Sequence, residues 1–208
     1  MIPGPDQIVA CPKCNGLAKY MTLLSGNTFG ARVWTDGKQY APMLPSPPAV
    51  VKCQQCAECY WLADAREVCN VPRTAPPVVQ EPSEDEYYHA LQKGLAAGSQ
   101  QERTLRILAW WRRNDAFRCA PQAEAASTAT ASGTCRTNLE ALASLLEEEE
   151  EENDRLMKAE VFRELGQFES AKLALSLVSS PEYATVVHQL RILCDAGDAV
   201  VRELQFGG

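Results

Sequence analysis

Cys11-Pro12-Lys13-Cys14 and Cys53-Gln54-Gln55-Cys56 decide the reading of this chain, with 38 residues between the two pairs. A CxxC turn brings two thiolates to one side of a metal ion, and a second turn completes a tetrahedron of soft sulfur ligands, the arrangement that a filled d shell accepts. The spacing therefore predicts one structural zinc held by Cys11, Cys14, Cys53 and Cys56. Four protein ligands leave no open position for water or substrate, so the ion is expected to hold a fold together and not to perform chemistry. A disulfide framework, a redox CxxC and four unrelated buried thiols are the competing readings. No βαβ pattern accompanies either pair, which argues against the redox reading.

Working outward from the cysteines, the segment between them reads as hairpins. Tyr20–Leu24 is short and apolar, Ser25-Gly26-Asn27 supplies a turn, and Thr28–Thr35 is rich in β-branched and aromatic residues. Asp36-Gly37 makes a second turn that leads back through Lys38 to Met43. Pro42, Pro45, Pro47 and Pro48 bar a central strand, and Ala49–Val51 resumes extended structure into the second pair.

The two knuckles on hairpins resemble the zinc-ribbon family over residues 8–65. That resemblance implies the same four ligands, Cys11, Cys14, Cys53 and Cys56. Two departures stand out: Ala57 occupies the position where many ribbons place glycine, and Cys59 turns the second knuckle into CxxCxxC. Cys59 lies in an apolar run with Tyr60, Trp61 and Leu62 and reads as a small core residue; Cys69 reads as a free thiol. Lys13 and Lys52 adjoin ligand cysteines, either as cationic support for the thiolates or as solvated side chains.

The chain has 208 residues, nine cysteines and a net charge of −7. Six Lys or Arg stand against five Asp or Glu before residue 73, which leaves fourteen against twenty-two from the totals of 20 and 27. That shift places a domain over residues 1–72, a Pro-rich connector over residues 73–83 and a helical domain over residues 84–208, an α+β architecture. Helices are expected over Glu84–Ala96, over Gln101–Arg113 with Asn114 as its stop, from an Asn138 cap through Leu146, and onward from Pro181. Ala120–Thr134 reads as a loop, and the run Glu147–Glu152 as a solvated break whose acidic end lies near the next helix N-terminus. Within Arg155–Val178, Ala159, Phe162, Gly166, Phe168 and Ala171 keep the spacing of small, aromatic and turn residues in a helical hairpin. This stretch resembles the tetratricopeptide repeat, which implies a protein-binding helical domain.

Neither His89 nor His188 sits in a catalytic motif, and no Walker, GxSxG, GxGxxG or HExxH pattern occurs. The absence of a basic N-terminal stretch or an apolar spanning run makes a reducing, bacterial-type cytoplasm the expected setting. The sequence thus predicts a non-catalytic zinc protein that acts as a protein-interaction or scaffold module. Trp110, Trp111, Arg106, Arg112 and Arg113 form its candidate partner surface. A zinc-ribbon nucleic-acid or transcription accessory factor is the alternative, weakened by the small basic excess of the first domain.

Overall fold

The computed structural model describes residues 1–69, 74–118, 133–146 and 151–206. Among the described residues, strands fill the N-terminal part and six α-helices most of the remainder. No helix among the described residues is long and apolar enough to cross a membrane. The chain divides into two compact units, Met1–Ala31 with Tyr40–Ala97 and Arg32–Gln39 with Gly98–Gly208.

In the first unit β1 (Ile2–Ala10) and β2 (Leu17–Ser25) form an antiparallel hairpin whose turn is the first cysteine pair. Pro3 and Pro5 disfavour a strand in the sequence, yet β1 extends through them because its register breaks at Ile2/Pro3 and Pro3/Asp6. Proline is tolerated where the ladder is already interrupted. Past the breaks the register is regular, from Asp6 opposite Met21 to Ala10 opposite Leu17. β5 (Val50–Lys52) and β6 (Cys59–Trp61) make the second hairpin around the second cysteine pair. β7 (Arg66–Glu67) joins β1 on the side away from β2, giving the order β2-β1-β7.

The Pro-rich segment after residue 73 does not stand as a free connector. Lys19 donates its N–H to the Pro77 carbonyl at 2.8 Å and accepts from Val79 at 2.9 Å, while Lys52 donates to Gln80 at 2.8 Å. The segment therefore pairs with β2 in parallel and with β5 in antiparallel sense. Helix α1 (Glu84–Gln92) follows and belongs to this unit, not to the helical one. Ser83 and Glu86 form a reciprocal capping box at its start, and the same Glu86 carboxylate pairs with Lys52. The Trp61 indole donates to the Leu95 carbonyl at 3.1 Å. Side-chain ties of this kind, invisible to composition, move the division from the expected residues 73–83 to Ala97/Gly98.

The second unit is built on α2 (Ser99–Arg118), α3 (Gly133–Leu145), α4 (Glu152–Glu164), α5 (Phe168–Ser176) and α6 (Ala184–Asp195). Trp110, Leu139, Leu142, Val161 and Leu165 form one apolar cluster; Leu156, Ala159, Ala174, Leu175 and Leu190 form another. The α4–α5 hairpin matches the expected one. Gly166 takes φ 77°, and Gln167 N–H bonds to the Phe162 carbonyl while Gly166 N–H bonds to that of Arg163, a Schellman closure. Glu152 sits in the first turn of α4 and accepts the N–H and hydroxyl of Ser179 at 2.8 Å each. Hydrogen bonds from Ser180 and Ser179 hold its carboxyl down at about 2. Residues 147–150 of the acidic run lie outside the described residues, as does most of the expected loop over Ala120–Thr134, whose last two positions begin α3.

Two polar residues placed at helix ends by the sequence lie inside helices. Asn114 continues α2 and Asn138 lies in the middle of α3, both buried. Each is kept there by what its amide binds: Asn138 donates to the Arg106 carbonyl at 3.0 Å, and Asn114 reaches two carboxylates. One of these is Asp36, which comes from the strand-rich half of the sequence. Residues Arg32–Gln39 leave the first unit and complete the second. β3 (Arg32–Val33) pairs with β4 (Gln39–Tyr40) around the expected Asp36-Gly37 turn, and with the C-terminal segment, where Thr35 N–H bonds to the Arg202 carbonyl at 2.8 Å. Trp34 lies between the Arg32 and Arg118 guanidiniums, 5.0 and 5.4 Å from its ring centre. Asp36, 1% exposed, pairs with Arg118.

Breaking a buried pair strands the surviving charge, so Asp36→Ala in the full chain is expected to cost about 3–5 kcal/mol. Urea unfolding followed through helical circular dichroism measures it; a loss below about 1 kcal/mol, the size of an ordinary surface change, contradicts this account of the pair.

Candidate metal centre

Each cysteine pair closes the same local structure. Asn15 N–H bonds to the Cys11 carbonyl at 2.9 Å and Cys11 N–H to the Gly16 carbonyl at 2.9 Å; Ala57 N–H bonds to the Cys53 carbonyl at 2.8 Å and Cys53 N–H to that of Glu58 at 2.9 Å. The residue after each second cysteine is left-handed, Asn15 at φ 59° and Ala57 at φ 60°. Asparagine tolerates this region well. Alanine does not, so the departure noted in the sequence is a strained position retained by the knuckle.

The two knuckles meet at their sulfurs. All four Sγ atoms lie within 4.8 Å of one another, with Cys14 to Cys53 at 3.5 Å and Cys11 to Cys56 at 3.9 Å. Thiolates at about 2.3 Å from a tetrahedral ion stand about 3.8 Å apart, so the spacing fits a metal. A disulfide needs sulfurs at about 2.0 Å, and the eight described cysteines are all free. Backbone N–H groups of Lys13 and Cys14 address the Cys11 sulfur, and those of Gln55 and Cys56 address the Cys53 sulfur. Gly16 N–H reaches the Cys14 sulfur at 3.4 Å. Burial pushes the Cys53 thiol up, but the knuckle donors and its neighbouring thiols overcome this and bring it to about 7. At Cys14 the Gly16 N–H works downward, while burial and the other three sulfurs carry the thiol up to about 12. Four thiolates cannot share so small a volume unless a cation neutralises them.

Cys59 stands apart from this group. Its Sγ faces the Glu86 carbonyl at 3.9 Å, and burial, with the Glu86 charge, pushes the thiol up to about 11. Lys13 and Lys52 are both engaged by carboxylates, Lys13 with Glu58 at 3.3 Å and Lys52 with Glu86. Lys93 meets the same Glu58 at 2.8 Å, and the two knuckles and α1 enclose an open cleft of about 860 Å³ above this charge cluster.

The expected partner surface is not assembled as one exposed patch. Trp110 is fully buried, with its indole N–H on Glu164 at 2.8 Å, and half-buried Trp111 donates to the Asp36 carbonyl at 2.9 Å. Arg106 is bound by Glu102 at 2.7 Å and by Asn138 at 3.2 Å. Arg112 lies exposed beside Asp115, and Arg113 covers Phe117. The sequence reading missed Gly16, where an added Cβ would stand 2.8 Å from the Gln55 side-chain oxygen and 3.2 Å from the Cys14 sulfur. A glycine two residues past a knuckle cysteine is a signal of close approach that the spacing carried. No family model, curated protein or solved structure matches this chain.

Relief of the left-handed alanine predicts that Ala57→Gly stabilises the first unit by about 1 kcal/mol, read from denaturant unfolding of the metal-loaded chain. An unchanged or lower midpoint argues against strain at this position. Gly16→Ala pushes one knuckle away from the other and should weaken metal retention about tenfold or more in a chelator competition, whereas unchanged affinity means the knuckles do not need that contact.

Proposed function

We propose that this is a non-catalytic metal-binding protein in which Cys11, Cys14, Cys53 and Cys56 hold one structural zinc in a zinc-ribbon-like unit, and in which the helical unit serves as a protein-interaction module. The convergence of four sulfurs within 4.8 Å from two matched knuckles carries the metal reading. Zinc is favoured over other soft ions by an all-thiolate tetrahedron with no redox requirement. A closed four-thiolate shell supports a structural role, since it offers no position to a substrate.

The interaction reading rests on the α4–α5 hairpin, with its buried small residues Ala159 and Ala171 and its Gly166 turn. Helical hairpins of this type present surfaces to peptides and partner proteins. The nucleic-acid alternative loses support from the ion pairs of the strand-rich half. Lys13, Lys19, Lys38, Lys52 and Arg32 all face carboxylates and are compromised as phosphate contacts.

Metal analysis of the purified chain should return one zinc per molecule. Cys53→Ser should lose zinc and the fold of the first unit together, while Cys59→Ser keeps a zinc content close to wild type. Equal loss in both variants refutes the ligand assignment. A salt-dependent shift of nucleic acid by the intact protein, with no protein retained in a pull-down, would overturn the interaction reading.

A further inference from the structure

Besides the Asp154–Arg103 pair, three carboxylates and two guanidiniums among the described residues share the interior of the helical unit. Asp36, Glu160 and Glu164 are at most 1% exposed, Arg163 is fully buried, and the Arg118 side chain is 6% exposed. Glu160 is matched by Arg163, which donates to its two oxygens at 2.7 and 2.6 Å. Asp36 is matched by Arg118. Among the described residues Glu164 receives neutral donors alone, the Trp110 indole and the Asn114 amide, each at 2.8 Å. The pairs around this interior are already balanced, Lys38 with Asp115 and Arg202 with Asp198, both at 2.7 Å. With every carboxyl ionised the interior therefore holds one negative charge too many. An uncompensated buried carboxylate relieves itself by taking a proton.

The position of the surplus charge matters. The Asn114 amide that serves Glu164 also donates to Asp36 at 3.0 Å, so one neutral group separates two carboxylates. Asp36 is the partner that is not on a helix; it belongs to the Arg32–Gln39 excursion. We propose that Glu164 carries the surplus proton and acts through Asn114 and Asp36 as a proton-operated latch on that excursion, closed while the proton is held and released when it leaves.

The groups around Glu164 pull both ways: burial and the Glu160 and Asp36 charges oppose its ionised form and prevail, while Arg163 and the Trp110 indole favour it. Glu160 and Arg163 face it from α4, and Trp110 and Asn114 from α2, whose Arg118 pairs with Asp36 and Asp115. The excursion contributes Asp36 to Glu164, while its Lys38 pairs with Asp115; Asp198 of the C-terminal segment pairs with Arg202 and meets Arg163, and the α6 thiol Cys194 lies near Arg163 and Glu160. Burial, followed by the charges of Glu160 and Asp36, pushes the Glu164 carboxyl up to about 8. The folded state then holds one proton more than the unfolded chain between the ordinary value of 4.5 and about 8. Stability supplied by this group is full below that window, falls as pH rises through it and is level above it, with the opening equilibrium moving about tenfold per pH unit.

Hydrogen exchange of the full-length protein between pH 6 and 9, corrected for intrinsic rates and read by mass spectrometry, tests the latch. Protection of the Thr35–Lys38 amides should fall by up to about tenfold per pH unit below pH 8 while amides of α5 and α6 keep theirs, and Glu164→Gln should remove the dependence. A pH-independent excursion in the wild type, or the same slope in a folded Glu164→Gln variant, overturns the proposal. Parallel loss across α5 and α6 overturns it as well, because the whole unit would then be responding. Should the variant fail to fold, the wild-type exchange profile decides alone.

Discussion

Four sulfurs held within 4.8 Å of one another are the constraint on which the first unit depends. Its sheets are small, a three-stranded β2-β1-β7 sheet and a two-stranded β5–β6 ladder, and sheets of this size are marginal in water without further ties. At the meeting point of the two cysteine hairpins Cys11, Val51, Cys53 and Tyr60 form one apolar cluster, so the ligand side chains are themselves part of the packing between the hairpins. A cation at the sulfurs would turn mutual repulsion into four bonds and so tie both hairpins through their turns. The segment around Val78 and Gln80 then closes the gap by pairing with one strand of each hairpin, and α1 is fastened by Glu86 and Trp61.

The helical unit is organised on the opposite principle. Its apolar clusters are ordinary, but Glu160, Arg163, Glu164, Asp36 and Asn114 are all buried between them. Burying charge gains little net stability against a well-packed apolar alternative. What it supplies here is discrimination: Arg163 meets the Glu160 carboxylate, the Val200 carbonyl at 2.9 Å and the Thr35 hydroxyl at 3.3 Å, so the helix, the C-terminal segment and the excursion must all be in register to satisfy it. A slipped arrangement would leave a guanidinium unpaired.

What could be read from the sequence follows the range of the interactions. The knuckles were legible because their chemistry is local, with two thiols three residues apart on one turn, and the α4–α5 hairpin because Gly166 and the small residues Ala159 and Ala171 encode a close approach within one short stretch. Strand β1 was hidden by Pro3 and Pro5, whose cost is removed by register breaks that only the pairing reveals. Asn114 and Asn138 read as helix boundaries because a polar side chain without a visible partner favours a cap, and their partners lie 78 and 32 residues away. The extra half-turn of logic at Ala57 was visible as a missing glycine, but not the backbone angle that makes it strained. Trp110 and Arg106 looked like a surface cluster because an arginine-rich helix face hides the carboxylates that meet it.

The Arg32–Gln39 excursion also sets an order of events during synthesis. Residues 33–35 find their backbone partners at residues 202–204. At ribosomal rates of about 5–20 residues per second, the early strand waits on the order of ten to thirty seconds for its complement. For that interval the backbone partners of residues 33–35 have not been made, while every residue of the two cysteine hairpins has. The growing chain therefore carries an aromatic, charged loop whose backbone complement is made some 170 residues later, so this loop is among the last parts of the fold that can close.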